Sequence, residues 1–212
     1  MNSKNRIIPS RKKILQHFDT NDAVMAQLIR ESGPITLKRN RNYFKVLCNA
    51  IIGQQISVAA ADAITIRFNK LFNSNSPNYK EVMLMADLDM RKAGLSKQKV
   101  SYLKDLSFYF HEKILRPHRL HYMNNDEVIH QLTQVHGIGR WTAEMFLIFS
   151  LNRPDVLPTG DLGLQLALKK LYRMRKLPTI KRMQSIGKKW NPLETVGTWY
   201  AWRAQDEKDV SY

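Results

Sequence analysis

Apolar residues recur at spacings of three and four along nearly the whole chain, and strict alternation is scarce, so the pattern predicts helices throughout. A first amphipathic helix is expected over 12–31, ending at Gly33-Pro34, followed by helices over 43–52 and 58–72. Short helices at 78–85 and 88–93 precede a longer one at 97–112, which places Val100, Leu103, Leu106 and Phe110 on one face. Further helices are expected at 126–134, 140–151, 161–173, 179–189 and 192–204. Ser57, Ser96 and Asn125 are suited to cap the helices that follow them, because a short polar side chain can take up an unpaired amide of the first turn. Gly53-Gln54-Gln55 interrupts the helical pattern, and the stretch from Arg153 to Gly160, with Pro154 and Pro158, forms a long loop. No internal repeat or low-complexity segment is apparent, and the expected class is all-α.

Charge narrows the partner. The 212 residues carry 34 Lys and Arg against 18 Asp and Glu, a formal charge of +16. Such an excess suits an anionic partner, and nucleic acid is favoured over an acidic membrane surface. The longest apolar run, around Met145–Leu151, is far too short to span a bilayer, and the first residues lack a signal-peptide pattern. A soluble, intracellular protein is expected. The single cysteine, Cys48, excludes an internal disulfide and an all-cysteine iron–sulfur cluster, and its apolar surroundings mark it as a small buried hydrophobe. No His, Cys, Asp or Glu set has metal-ligand spacing.

The strongest chemical signal is Leu132-Thr-Gln-Val-His-Gly137-Ile138-Gly139-Arg140-Trp141-Thr142-Ala143, lying between two helices. Two glycines around one aliphatic residue let the backbone turn tightly and approach another molecule, while Ile138 can anchor the turn. The next helix then begins with amides suited to a phosphate. A Gly-x-Gly turn on its own is equally at home in any tight helical connection. Asp161, before Leu-Gly-Leu-Gln, reads by itself as a helix N-cap. A helix of about 12 residues climbs roughly 18 Å at ~1.5 Å per residue. Nine extended loop residues then reach up to ~30 Å, so Asp161 can return to the hairpin end. Capping and catalysis are compatible roles for one carboxylate.

The fuller string, Leu-x4-Gly-Ile-Gly-x2-Thr-Ala, resembles the helix-hairpin-helix of the base-excision DNA glycosylases. Joined to Asp155-Val-Leu-Pro-Thr-Gly-Asp161-Leu-Gly, to Ile51-Ile-Gly-Gln-Gln-Ile-Ser57 and, more loosely, to Trp199-Tyr-Ala-Trp202-Arg, it is similar to the 3-methyladenine DNA glycosylase II family, the AlkA/Mag-type alkylbase glycosylases. The likeness runs from about residue 40 to 204, in the compact all-helical form of the family. It implies one helix-hairpin-helix glycosylase domain of two helical lobes around a DNA-binding cleft. One lobe would span about 34–120 with a wedge loop, the other about 121–175 with the hairpin and the catalytic residue, and the termini would pack back on both.

The resemblance assigns roles. Asp161 would be the catalytic carboxylate, stabilising the oxocarbenium charge that develops on the sugar and orienting or deprotonating a water. Bifunctional members of the superfamily carry a lysine two residues after the hairpin's second glycine; here that position is Trp141, which cannot form a Schiff base, so no lyase activity is expected. Trp141, Trp202 and Met145 would line the base pocket, with the aromatic faces attracting a cationic alkylpurine; ordinary core tryptophans are the alternative. Gln55 would wedge into the stack left by the flipped base, or else satisfy free backbone ends at the helix break. Gly137, Ile138, Gly139, Arg140 and Thr142 would bind DNA phosphate. Lys38-Arg39/Arg41, Lys169-Lys170/Arg173 and Lys188-Lys189 are further phosphate candidates, none of them singled out. His136 reads as structural.

Hairpins of this family can hold Na+ or K+ on backbone carbonyls; no other cofactor is implied. The expected function is excision of alkylated purines from double-stranded DNA by a monomer. The alternatives are a glycosylase for deaminated or oxidised bases, or a non-catalytic helix-hairpin-helix module. One departure stands out: Trp190-Asn-Pro192-Leu-Glu194-Thr195 has Glu194 where family members carry a basic or polar residue.

Overall fold

A computed structural model describes residues 8–205, and every regular element among them is a helix. In order these are α1 (Arg11–Asn21), α2 (Ala23–Glu31), α3 (Tyr43–Gly53), α4 (Val58–Asn69), α5 (Tyr79–Leu84) and α6 (Asp87–Lys92). They continue with α7 (Lys97–His111), α8 (Asn125–Thr133), α9 (Arg140–Phe149), α10 (Leu162–Leu171), α11 (Ile180–Trp190) and α12 (Glu194–Gln205). No described helix is long and apolar enough to cross a membrane.

The helices fall into two compact units. One combines the chain up to Arg39 with the part from Leu147 onward, and the other is Asn40–Phe146. This division differs from the expected one in a way that matters for the site. The hairpin groups with the wedge loop, and Asp161 groups with the two ends of the chain. The reason lies in the first unit's core, where Ile14, Phe18, Met25 and Ile29 from the N-terminal helices pack with Leu164, Met183, Trp190 and Trp199 from the C-terminal ones.

The sequence pattern runs unbroken over 12–31, yet the chain turns at Asp22. Its backbone is extended there, and its carboxylate accepts from Met25 N to start α2. The other oxygen accepts Tyr172 Oη at 2.5 Å and Trp190 Nε1 at 3.1 Å. These bonds tie the α1–α2 corner to the residue after α10 and to the last residue of α11. Burial, followed by the adjacent carboxylate, pushes the Tyr172 hydroxyl well above the usual tyrosine range, so it remains a donor. Periodicity carried no trace of this corner, because a capping Asp fits the polar face of an amphipathic helix equally well.

In the second unit α7 lies against α3, α5 and α6. Phe44, Tyr79 and Phe110 form an aromatic cluster, Phe44 meeting Phe110 edge-on at 5.1 Å between ring centres. Cys48 is fully buried and its thiol is pushed up by that burial, in keeping with the role of a small hydrophobe. Ser57 and Ser96 cap α4 and α7 as expected, accepting from Ala60 N and Lys99 N. For α8 the cap is Asn124 rather than Asn125: a reciprocal pair with Glu127 closes a capping box one residue earlier than the pattern suggested.

Candidate active site

The hairpin and the wedge loop are built within the second unit. Gly137 has φ +86°, the left-handed region that glycine alone enters without strain, and a Cβ there would collide with the Tyr102 ring at 2.2 Å. The first of the two glycines is therefore fixed by the turn and by close packing together. Ile138 is 4% exposed and anchors the turn, its amide bonded to Val135 O at 3.0 Å. That amide is used inside the turn, so a phosphate would meet the amides that follow it. The first helical bond of α9 runs from Ala143 N to Gly139 O, so Gly139 and Arg140 present their amides before the helix pairs its own. His136 is held by Asp105, whose Oδ2 accepts both its backbone N (2.8 Å) and its Nδ1 (2.9 Å), which agrees with a structural role.

Five further residues fall as follows. Arg140 is exposed and its guanidinium donates to the buried Glu144 at 2.9 Å. Trp141 is 42% exposed, whereas Met145 is buried. Thr142 is 5% exposed, so its hydroxyl is withdrawn from solvent, while its amide precedes the first helical bond of α9 at Ala143 N. Gln55 is exposed and sits at φ +58°, a left-handed conformation uncommon for a side chain of its size.

Asp161 is built within the first unit. The loop before it is pinned chiefly by Thr195 of α12. Thr195 Oγ1 donates to Arg153 O at 2.6 Å and accepts from Val156 N at 3.1 Å, and its own amide reaches Pro154 O at 2.8 Å. Leu157 fits against Gly187, where a Cβ would lie 2.4 Å from the leucine's methyl group. Near the loop's end Gln165 Nε2 donates to Thr159 O at 3.2 Å, and Asp161 N to Pro158 O at 3.0 Å. The proline-rich stretch is thus a fixed strap, and sequence reasoning missed Thr195 and Gly187 as its fastenings. Arg153, 1% exposed, is also embedded in it.

The carboxylate at the end of this strap is itself held. Asp161 Oδ1 caps α10, accepting Leu164 N at 2.6 Å, and accepts Trp202 Nε1 at 2.8 Å. The Trp202 ring stacks on Phe149 with 6.0 Å between centres and 11° between planes. Gly163 leaves room for the pair, since a Cβ there would lie 3.2 Å from Asp161 Oδ1 and 3.5 Å from the indole. Of the four tryptophans, Trp190 and Trp199 are the core pair, while Trp141 and Trp202 retain exposed surface.

The three basic clusters have mixed fates. Arg39 Nε donates to Ser150 O at 3.1 Å, and Lys170 Nζ to Ala204 O at 3.4 Å. Lys188 and Lys189 are exposed in the last turn of α11. Glu194 is half-buried at the start of α12. Burial pushes its carboxyl up from the usual range, offset in part by the Asn191 side-chain amide at 2.8 Å. No group of three or more His, Cys, Asp or Glu suited to a metal ion occurs among the described residues.

A two-glycine helical hairpin followed by a fastened aspartate defines a class, and comparison bears this out: residues 48–192 match the HhH-GPD superfamily of base excision DNA repair proteins. The chain belongs to that family. Among its relatives, DNA-3-methyladenine glycosylase 1 of Schizosaccharomyces pombe is 32% identical across 98% of this chain and 93% of its own length. The structure of the 3-methyladenine DNA glycosylase from that organism in complex with abasic DNA superposes with a TM-score of 0.81 at 31% identity, covering 94% of this chain and all of the other. A DNA-3-methyladenine glycosidase from Bacillus halodurans gives 0.84 at 34% identity, over 93% and 90% of the two chains.

Proposed function

We propose that this protein is a monofunctional DNA glycosylase that removes alkylated purines of the 3-methyladenine type from duplex DNA and leaves an abasic site. The observation that carries the reading is the Asp161 carboxylate, oriented by an amide and an indole at the end of a fastened strap. The relatives' names support the substrate class.

In this reading the hairpin amides of Gly139 and Arg140 grip backbone phosphates, and Gln55 fills the gap in the stack as the damaged nucleotide turns out. An aromatic face such as that of Trp202 or Trp141 attracts a positively charged base by about 0.5–2 kcal/mol. Breaking the bond from the sugar carbon to the base nitrogen leaves the electron pair on the base. An N-alkylated purine is already cationic and departs neutral, so no general acid is required. Asp161 stabilises the cationic sugar, and water adds to the sugar carbon and gives up its proton. Trp141 offers no amine at the position where a lysine would attack, so the strand stays intact. The protein acts on duplex DNA as a monomer; a Na+ or K+ ion, if bound, would rest on hairpin carbonyls and help to orient a phosphate, and no step above passes through it.

Single-turnover base release from duplexes carrying one alkylated purine tests this, with products resolved before and after alkali. Wild type should give alkali-labile sites, and Asp161→Asn should bind DNA yet lose most activity. Strand breaks without alkali would show lyase chemistry. Binding without release from a panel of alkylated, deaminated and oxidised lesions would leave a non-catalytic DNA-binding module.

A further inference from the structure

Gln54, beside the expected wedge residue, has a partner far along the chain. Its Nε2 donates to Gly137 O at 2.7 Å, joining the loop after α3 to the hairpin across 83 residues of sequence. Both loops are also fastened to one helix. Along α7, Lys99 Nζ donates to Ile52 O at 2.6 Å, taking a carbonyl in the last turn of α3, and Tyr102 packs under Gly137. Further along, Asp105 holds His136, and Tyr109 Oη donates to Gln134 O at 3.0 Å. Residues 99, 102, 105 and 109 recur at helical spacing and so share a face. The α7 helix therefore grips the wedge loop at one end and the hairpin along the rest, and Gln54 closes the third side.

We propose that Gln54 is a positioning residue for base extrusion: its amide locks the wedge loop to the hairpin, so that the turn gripping phosphate and the side chain at 55 move as one piece. This rests on the glycosylase reading above. A carbonyl at a loop surface could be satisfied by water, so the bond does little for overall stability. Its effect is geometric. Gln55 follows directly, in a left-handed conformation, and its aim depends on where residue 54 is fixed. Without the bond the hairpin still holds phosphate, but the wedge is no longer referenced to it.

The test uses the full chain and a duplex with 2-aminopurine beside one alkylated purine. Stopped-flow fluorescence follows unstacking, single-turnover assays follow base release, and anisotropy follows binding to undamaged duplex. Gln54→Glu keeps the shape but loses the donor at neutral pH, and Gln54→Leu removes it at every pH. Both should slow unstacking by about 5–30-fold, as expected for one lost orienting hydrogen bond, with midpoint temperatures near wild type. The Glu variant alone should recover toward wild type as pH falls to about 4, because a protonated carboxyl can donate to Gly137 O again.

Unstacking within twofold of wild type in both variants would overturn the proposal. So would a loss confined to the Glu variant, which would report charge against phosphate, or an equal loss in both with a large fall in midpoint temperature and no pH recovery. Wild type that releases no base would instead sink the glycosylase reading and take the proposal with it.

Discussion

Two aspartates in the first unit are built almost alike and face different fates. Asp22 and Asp161 each cap a helix, α2 and α10, and each accepts an indole N–H, from Trp190 and Trp202. Asp22 is 4% exposed, and it adds the Tyr172 hydroxyl, so its donors cover both oxygens. Asp161 is only partly buried, and its amide and indole donors converge on Oδ1. The first arrangement is a clamp: a buried carboxylate surrounded by donors joins helices from the two ends of the chain. The second orients a carboxylate at the end of a fastened loop without fully burying it. A capping motif with a tryptophan therefore does not by itself single out a catalytic residue; what separates the two carboxylates is exposure, 4% for Asp22 against partial exposure for Asp161.

The comparison breaks most visibly if the two residues are exchanged in their effects. Asp161→Asn should retain the cap and the fold, yet lower single-turnover base release by about 100–1,000-fold, the scale of losing an electrostatic stabiliser of a developing charge. Asp22→Ala should destabilise the protein by about 3 kcal/mol, from a lost cap and two buried donors left unsatisfied. Its folded fraction should release base at the wild-type rate. Denaturant unfolding and single-turnover kinetics on both variants check this. An Asp161 variant that loses stability with activity, or an Asp22 variant that stays stable, would erase the distinction.

A smaller effect isolates the indole. Trp202→Phe keeps an aromatic ring able to stack on Phe149 but removes the donor to Asp161 Oδ1. Base release should slow by about 5–30-fold, the equivalent of one charge-assisted hydrogen bond weakened at a partly solvated site. Binding to duplex DNA and the unfolding midpoint should change little. If release is unaffected, the indole does not orient Asp161 and Trp202 is only a wall.

These residues were unequally legible in the sequence. Gly137-Ile138-Gly139 stood out because a tight turn between helices demands glycine locally, and Asp161 stood out through its distance from that turn. The family match confirms the helix-hairpin-helix identity that those strings suggested. Asp22 was hidden inside a periodic stretch, because a cap and a solvent-facing polar position look alike until the partners Tyr172 and Trp190, 150 and 168 residues away, are known. Thr195 and Gly187 were hidden for the same reason, since their partners lie on the strap 153–157. Gln54 and Gln55 are the same residue type side by side, and only the backbone conformation and the bond to Gly137 separate them. Thr142 came from the motif, and the burial of its side chain depends on what packs around α9, which the motif does not carry. What repeats locally can be read; what depends on a distant partner cannot.

Glu194 extends the comparison to a carboxylate with too few donors. It opens α12, accepts the Asn191 side-chain amide, and has its Oε2 buried with no partner. Burial raises its folded-state pKa above the unfolded value, with the nearby Asp155 pushing in the same direction and Asn191 opposing. A raised carboxyl binds its proton more tightly in the folded state, so its contribution to stability is full below the ordinary glutamate range. That contribution declines as pH rises through the raised folded value. At neutral pH the charge is therefore a modest liability, discounted because the group is only half-buried. Glu194→Gln keeps an acceptor for Asn191 and removes the charge, so the midpoint should rise by roughly 1–3 °C at pH 7. The two proteins should converge by about pH 4, where wild type is protonated as well. A variant less stable at pH 7, or a gain that persists in acid, would mean that Glu194 is held by donors as Asp22 is, and the series of three carboxylates would collapse to two.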